Sequence, residues 1–199
     1  MTRPTTLLVA TTNPGKTREI VAILGDLPIR LLSLADLDPI AEAVEDGRTF
    51  ADNARIKALY YAAHAGLPTV AEDSGLAIDA LGGRPGVESA RYPGASYADK
   101  FANLYAELAR SERPWTARFV CSLTFVDPSA DPRVRYATEA AVEGEIAREP
   151  RGIHGFGYDP IFFFPPYGTT LGDVPDLQKL EVAHRGKAFR AFRSWLLTL

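Results

Sequence analysis

Two carboxylates stand side by side in "TVAEDSGLAID", Thr69 to Asp79, where an apolar run meets Ser-Gly. Burying Glu72 and Asp73 there is costly unless a metal, a base or a substrate pairs them. Successive residues of a strand face opposite sides, so both cannot aim at one point if the strand continues through them. One carboxylate then lines a ligand site, and the other pairs or faces elsewhere. A polar turn is the alternative. Ligands of α/β sheets gather at the carboxyl ends of strands, and this stretch reads as such an end. Oxygen ligands of this kind suit Mg2+, which takes one or two carboxylates plus substrate phosphates.

Three further stretches carry chemistry. In "ATTNPGKTREI" a strand ends at Ala10 and a helix begins near Pro14, with Asn13 as a favoured N-cap. Such a start offers free backbone N–H groups and a positive dipole end, and Lys16 adds a cation, so Thr11 to Lys16 can receive phosphate. An ordinary capped helix with a surface lysine explains the same residues. A P-loop is excluded: it needs a glycine where Ala10 stands, and Pro14 lacks an N–H. In "AEAVEDGRTFADNARIKA", Glu42, Glu45 and Asp46 precede the strongest helix, where acids complement the dipole by ~0.3–1 kcal/mol each. Asn53 and Lys57 share a face of that helix. In "HGFGYDPIFFFPPYG", Phe156 lies between two glycines, Gly155 and Gly157, and can approach a flat ligand; Tyr158 and Asp159 follow. Lys179, His184 and Arg185 supply donors near the last helix. A single histidine is more often structural, but His184 stands beside Arg185 after an irregular segment.

The elements that must place these groups alternate as in α/β proteins. "TLLVA" reads as a strand and "TREIVAILGDL" as a helix with Ile20, Ile23, Leu24 and Leu27 in one stripe. "RTFADNARIKALYYAAHAG" is a helix capped by Gly66 and followed by Pro68. "SYADKFANLYAELAR" opens close to a capping box. "TARFVCSLTFV" and "RVRYATEAAVEGEI" are strands joined by a turn at "DPSADP". Between Glu149 and Arg185 little helical signal remains, which is common in functional segments. "KAFRAFRSWLLTL" closes the chain as a helix with Phe189, Phe192, Trp195 and Leu196 facing inward.

The 199 residues suffice for one large domain or two small lobes, and 46% hydrophobic with 24% charged residues is the balance of a soluble protein. No stretch reaches the length of a membrane span. A net charge of −3 without a basic block argues against a duplex nucleic-acid binder, though not against a single nucleotide as ligand. The one cysteine, Cys121, sits in an apolar run as core filler and fits a reducing cytoplasm.

Together these stretches resemble the inosine triphosphate pyrophosphatase family. The blocks "TTNPGK", "EDGRTFADNARIKA", "AEDSGL", "GGRPGVESARYPG", "GFGYDPIF" and "AHRGKAF" stand in the family's order from Thr11 to Phe189. Thr12 replaces the usual glycine, Asp52 a glutamate, and Glu72 the first aspartate of the acidic pair. Gly172-Asp173-Val174 departs from the usual A-E-L. The Glu72 replacement singles out Asp73 for the strict geometric role.

The resemblance implies an α/β fold, residues 1–199 forming a single domain with a long mixed sheet flanked by helices, and two lobes with the active-site cleft between them. It implies hydrolysis of deaminated purine nucleoside triphosphates between the α and β phosphates, giving a monophosphate and pyrophosphate. Glu45 and Asp73 would hold Mg2+, and Asp73 would also accept the water proton. Lys16, Lys57 and the start Thr11, Thr12, Asn13, Pro14 and Gly15 would hold the phosphates, with Ser74 touching the substrate. Phe156, flanked by Gly157, would stack on the base, and Asp159 would contact the purine or support the loop. Donors from Lys179, His184 or Arg185 satisfy a C6 carbonyl but not the amino group of adenine, a mismatch worth ~10⁴-fold or more. A cytoplasmic homodimer is implied as well. The alternatives are a septum-formation-type pyrophosphatase of modified nucleotides, which lacks the "GFGYDP" and "HRG" blocks, and a nucleotide sensor without turnover.

Overall fold

The structure is a computed structural model and describes residues 2–199. Seven strands form one mixed sheet in the order β2-β1-β3-β4-β5-β6-β7. β1 (Thr6–Val9) pairs in parallel with β2 (Arg30–Ser33) and with β3 (Thr69–Ile78). β4 (Thr116–Val126) and β5 (Val134–Ile146) follow, and β5 pairs antiparallel with β6 (Phe162–Phe164), which pairs antiparallel with β7 (Thr169–Thr170). The helices are α1 (Pro14–Leu24), α2 (Phe50–Ala65), α3 (Tyr97–Leu108), α4 (Asp176–Val182) and α5 (His184–Leu196). No described helix is long and apolar enough to cross a membrane.

The chain divides into two units. The first holds the chain up to Asp73, Cys121–Ala140 and Arg185–Leu199; the second holds Ser74–Val120 and Ala141–His184. In the first, α2 lays Ala58, Tyr61 and Ala62 on Leu8, Ala71 and Val126. Its ends follow from local chemistry. Thr49 and Asp52 exchange hydrogen bonds in a capping box, and Gly66 takes the left-handed conformation (φ 64°) that ends the helix. α5 packs Phe192 against Phe125 at 5.4 Å between ring centroids and Trp195 on Tyr136 at 4.9 Å. In the second unit Leu76, Ile78, Phe101, Leu104, Trp115, Phe119 and Phe162 form the core.

Two expectations change. β3 does not end at the acids but runs on to Ile78, because Leu76 and Ile78 are fully buried in the second core. The Ser-Gly break is a packing device: a Cβ on Gly75 would stand 2.4 Å from Ser89 Oγ and 2.6 Å from the Gly86 carbonyl. The carboxyl-end rule survives on β1, whose last residue Val9 pairs with Val70, so the acids lie just beyond it. The segment after Glu149 also holds more order than its composition suggests. β6, β7, three single-turn 3-10 segments and α4 all fall within it.

Candidate active site

Strand alternation sends the two acids to different partners. Asp73 Oδ1 accepts from Lys57 Nζ at 2.9 Å, and Oδ2 from Asn53 Nδ2 at 3.3 Å. Lys57 Nζ also donates to Glu45 Oε2 at 2.9 Å. Glu45 therefore serves Lys57 rather than the α2 dipole. The loop before α2 is held against Asn53, whose Oδ1 accepts from Gly47 N at 2.9 Å. A Cβ on Gly47 would meet that oxygen at 2.6 Å, so glycine is required two residues after Glu45. Burial pushes the Asp73 carboxyl above its usual range, and the Glu72 charge adds to this against the pull of Lys57 and Lys16. Burial opposes the Lys57 ammonium, but Asp73, Glu72 and Glu45 outweigh it and raise its pKa.

Two carboxylates thus converge on one cation. Among the described residues no group of three or more His, Cys, Asp or Glu could close an all-protein metal cage. A pair of carboxylates fits an ion that keeps waters and substrate phosphates as its other ligands.

Glu72 faces the other way. Its Oε1 receives Lys16 Nζ at 2.7 Å and Arg185 Nε at 3.4 Å. Burial works against this carboxylate, yet Lys16, Arg185 and Lys57 hold it well below the usual range. The start of α1 is capped as expected, with one difference. Asn13 Oδ1 accepts from Gly15 N at 2.9 Å and from Lys16 N at 3.1 Å, so these N–H groups are not free. Thr11, Thr12 and Pro14, with Thr17, Arg18 and Glu42, line a pocket of about 620 Å³ beside that start.

The second unit gathers the aromatic group. Asp159 Oδ2 accepts from Phe156 N and from Lys179 Nζ, each at 2.8 Å, and Lys179 Nζ lies 4.7 Å from the Phe156 ring centroid. Asp159 and Lys179 are both buried. Gly155 has φ 70°, and a Cβ there would strike Asp159 Oδ2 at 2.1 Å. His184 stacks on Phe119 at 4.9 Å with rings 17° apart. The Tyr158 side chain turns into the core, where its hydroxyl donates to Ser89 O at 2.7 Å. Lys179 and His184 therefore belong with Phe156 in the second unit, whereas Arg185 lies in the first, between Glu72 and Glu19. Glu19 escaped the sequence reading; the signal was its place one helical turn after Lys16.

Two buried acids just beyond a parallel β1–β3 pair, with the lysine of a capped helix start on one of them, place the site in a protein of the α/β class. The chain belongs to the Ham1 family, whose model matches residues 7–195. It is 45% identical over 197 residues to a "dITP/XTP pyrophosphatase" of Geobacter sulfurreducens, covering 96% of each chain. It is 44% identical to one of Thermus thermophilus, covering 96% of this chain and 91% of the other. Among solved structures it resembles a HAM1 protein from Coxiella burnetii, with TM-score 0.88, 36% identity and 98% and 99% of the two chains covered. A "Nucleoside-triphosphatase / dITP/XTP pyrophosphatase" from Mycobacterium abscessus follows at TM-score 0.75 and 38% identity, with 94% and 98% covered.

Proposed function

We propose that the protein hydrolyses deaminated purine nucleoside triphosphates, dITP and XTP foremost, to the monophosphate and pyrophosphate. The observation that carries the reading is the Lys57 ammonium held 2.9 Å from both Glu45 and Asp73, with Lys16 one residue of β3 away on Glu72. Relatives named for dITP and XTP at 45% identity supply the substrate class. Lys16 and Lys57 hold the triphosphate charge, and Asp73, with its raised proton affinity, takes the proton of the attacking water. The anhydride between the α and β phosphates breaks, and pyrophosphate leaves. Mg2+ is the metal that suits Glu45 and Asp73, and when bound it would neutralise and orient the phosphates. Thr11, Thr12 and Pro14 are assigned to the phosphate end, with Asn13 turning from its cap to serve it. Ser74 is assigned to the substrate beside Asp73. Phe156 is assigned to stacking on the base, flanked by Gly157, and Lys179 and His184 to the C6 carbonyl.

The reading makes the chain one catalytic domain of a cytoplasmic homodimer; the buried thiol of Cys121 suits a reducing compartment. Family membership sets the septum-formation alternative aside. The test is a panel of dITP, ITP, XTP, GTP and ATP with Mg2+, separating pyrophosphate from orthophosphate. Orthophosphate as the product refutes the cleavage site, and tight binding without either product makes the protein a sensor.

A further inference from the structure

The loop that carries Glu45 has no regular structure of its own: residues 39–47 belong to no helix or strand. A carboxylate on such a loop is held in place only if another element fixes it, and α2 does so in a regular way. Ala43 N donates to Tyr61 Oη at 3.3 Å, Lys57 Nζ to Glu45 Oε2 at 2.9 Å, and Gly47 N to Asn53 Oδ1 at 2.9 Å. Every second residue of the loop thus meets every fourth residue of the helix, in opposite directions. The lengths match, since four helical residues rise about 6 Å and two extended residues span at most about 7 Å. Residues four apart share a helix face, so Asn53, Lys57 and Tyr61 form the row on which the loop is laid.

Asn53 reaches beyond the loop. Its Nδ2 donates to Asp73 Oδ2 at 3.3 Å, and the side chain is fully buried. The amide has one arrangement only. Gly47 N is a donor, so the oxygen must face it and the NH2 must face the carboxylate. Lys57 joins the same two segments, but the proposed function draws its ammonium towards the triphosphate. Asn53 is a link with no charge to give away.

We infer that Asn53 is a positioning residue for the divalent cation: it ties the Glu45 loop to Asp73 and so sets the spacing of the two carboxylates. The inference rests on the proposed function, in which Glu45 and Asp73 are the metal ligands. An aspartate in place of Asn53 would add a third carboxylate at that corner, and a lysine would compete with the cation. The amide orients both ligands without a charge, as outer partners of metal ligands do.

Mn2+ alone is the probe, with free and bound ion separated by electron paramagnetic resonance and folding followed by Tm. Glu45→Gln is expected to lose the bound ion, which assigns the signal to this pair; Mn2+ retained by that variant lies elsewhere and overturns the inference. Asn53→Ala is expected to weaken Mn2+ by about 10- to 100-fold, the range for a lost outer partner of a metal ligand. Tyr61→Phe frees the other side of the loop without touching Asp73 and should cost less. If Asn53→Ala does not fold, Gly47→Ala carries the test: its methyl would stand 2.6 Å from Asn53 Oδ1 and drive the loop off the amide, with a loss of about tenfold or more. A folded Asn53→Ala that binds Mn2+ like the wild type overturns the inference, because a purely structural role lowers Tm and leaves the ion's affinity alone. An equal loss in Tyr61→Phe overturns it too, since loop order would then suffice without the Asp73 contact. A wild type that binds Mn2+ through Glu45 but releases no pyrophosphate from dITP overturns the function instead, and the Mn2+ series still decides the role of Asn53.

Discussion

Replacing Asp73 by Asn keeps the shape and removes the proton acceptor. In the native site Oδ1 accepts from Lys57 and Oδ2 from Asn53. The amide introduced by Asp73→Asn can offer one oxygen to Lys57, but its NH2 then meets the NH2 of Asn53. Asn53 cannot simply turn over, because its own oxygen holds Gly47 N at 2.9 Å. One buried donor is left unpaired, which costs about 1–3 kcal/mol. Lys57 keeps Glu45 at 2.9 Å, so its charge is not stranded. For a chain of this length that predicts a fall in Tm of roughly 2–12 °C. Losing a positioned base lowers kcat by about 10²- to 10⁴-fold, and the lost carboxylate ligand adds to this. The assay is pyrophosphate release from dITP at saturating substrate, with calorimetry for Tm. A variant that loses Tm as stated yet keeps kcat within about tenfold of the wild type refutes the base assignment. The pH profile gives a second check. The active form of Asp73 is the carboxylate, so kcat/KM should fall in acid, and the residual activity of Asp73→Asn should lack that acid limb.

Three more outcomes follow from the geometry. Glu72→Gln should destabilise the protein at neutral pH, and the gap to the wild type in Tm should close in acid. The carboxyl is held below its ordinary 4.5, so its stabilisation is complete above that pH and is lost as pH falls through the lowered value. Gly75→Ala drives a methyl to 2.4 Å from Ser89 Oγ and should cost about 1–3 kcal/mol in chemical denaturation, while Ser89→Gly in the same chain should recover part of it. Phe156→Ala should raise KM for dITP by about tenfold or more through lost stacking while leaving tripolyphosphate affinity unchanged; equal losses on both would remove the ring from base binding.

Local chemistry was legible wherever neighbours in sequence settle it. The capping box that opens α3, the Asn13 cap with Pro14 behind it, and the placement of Asn53 and Lys57 on one face of α2 need only a few residues of context. β2, β6 and β7 went unread: β6 and β7 are runs of three and two residues, too short for a period, and ladder partners make all three strands. α4 went unread because its 7 residues stand on no side-chain N-cap; Pro175 precedes it.

The sequence by itself determined which residue types the site contains and, through its ordered blocks, the family and the reaction class. It also determined that the two acids part company, because strand alternation is a property of the backbone. Only the tertiary structure decided their partners. Asp73 meets a lysine 16 residues away, while Glu72 meets an arginine 113 residues on that reaches a glutamate 166 residues before it. Such pairs depend on the register of β3 and on where α5 docks. Both are set by burying Leu8, Ala71, Phe189 and Phe192 rather than by the charges themselves. For the same physical reason adjacent His184 and Arg185, alike as donors in sequence, end among different neighbours: one stacks on Phe119, and the other shares Glu72 with Lys16.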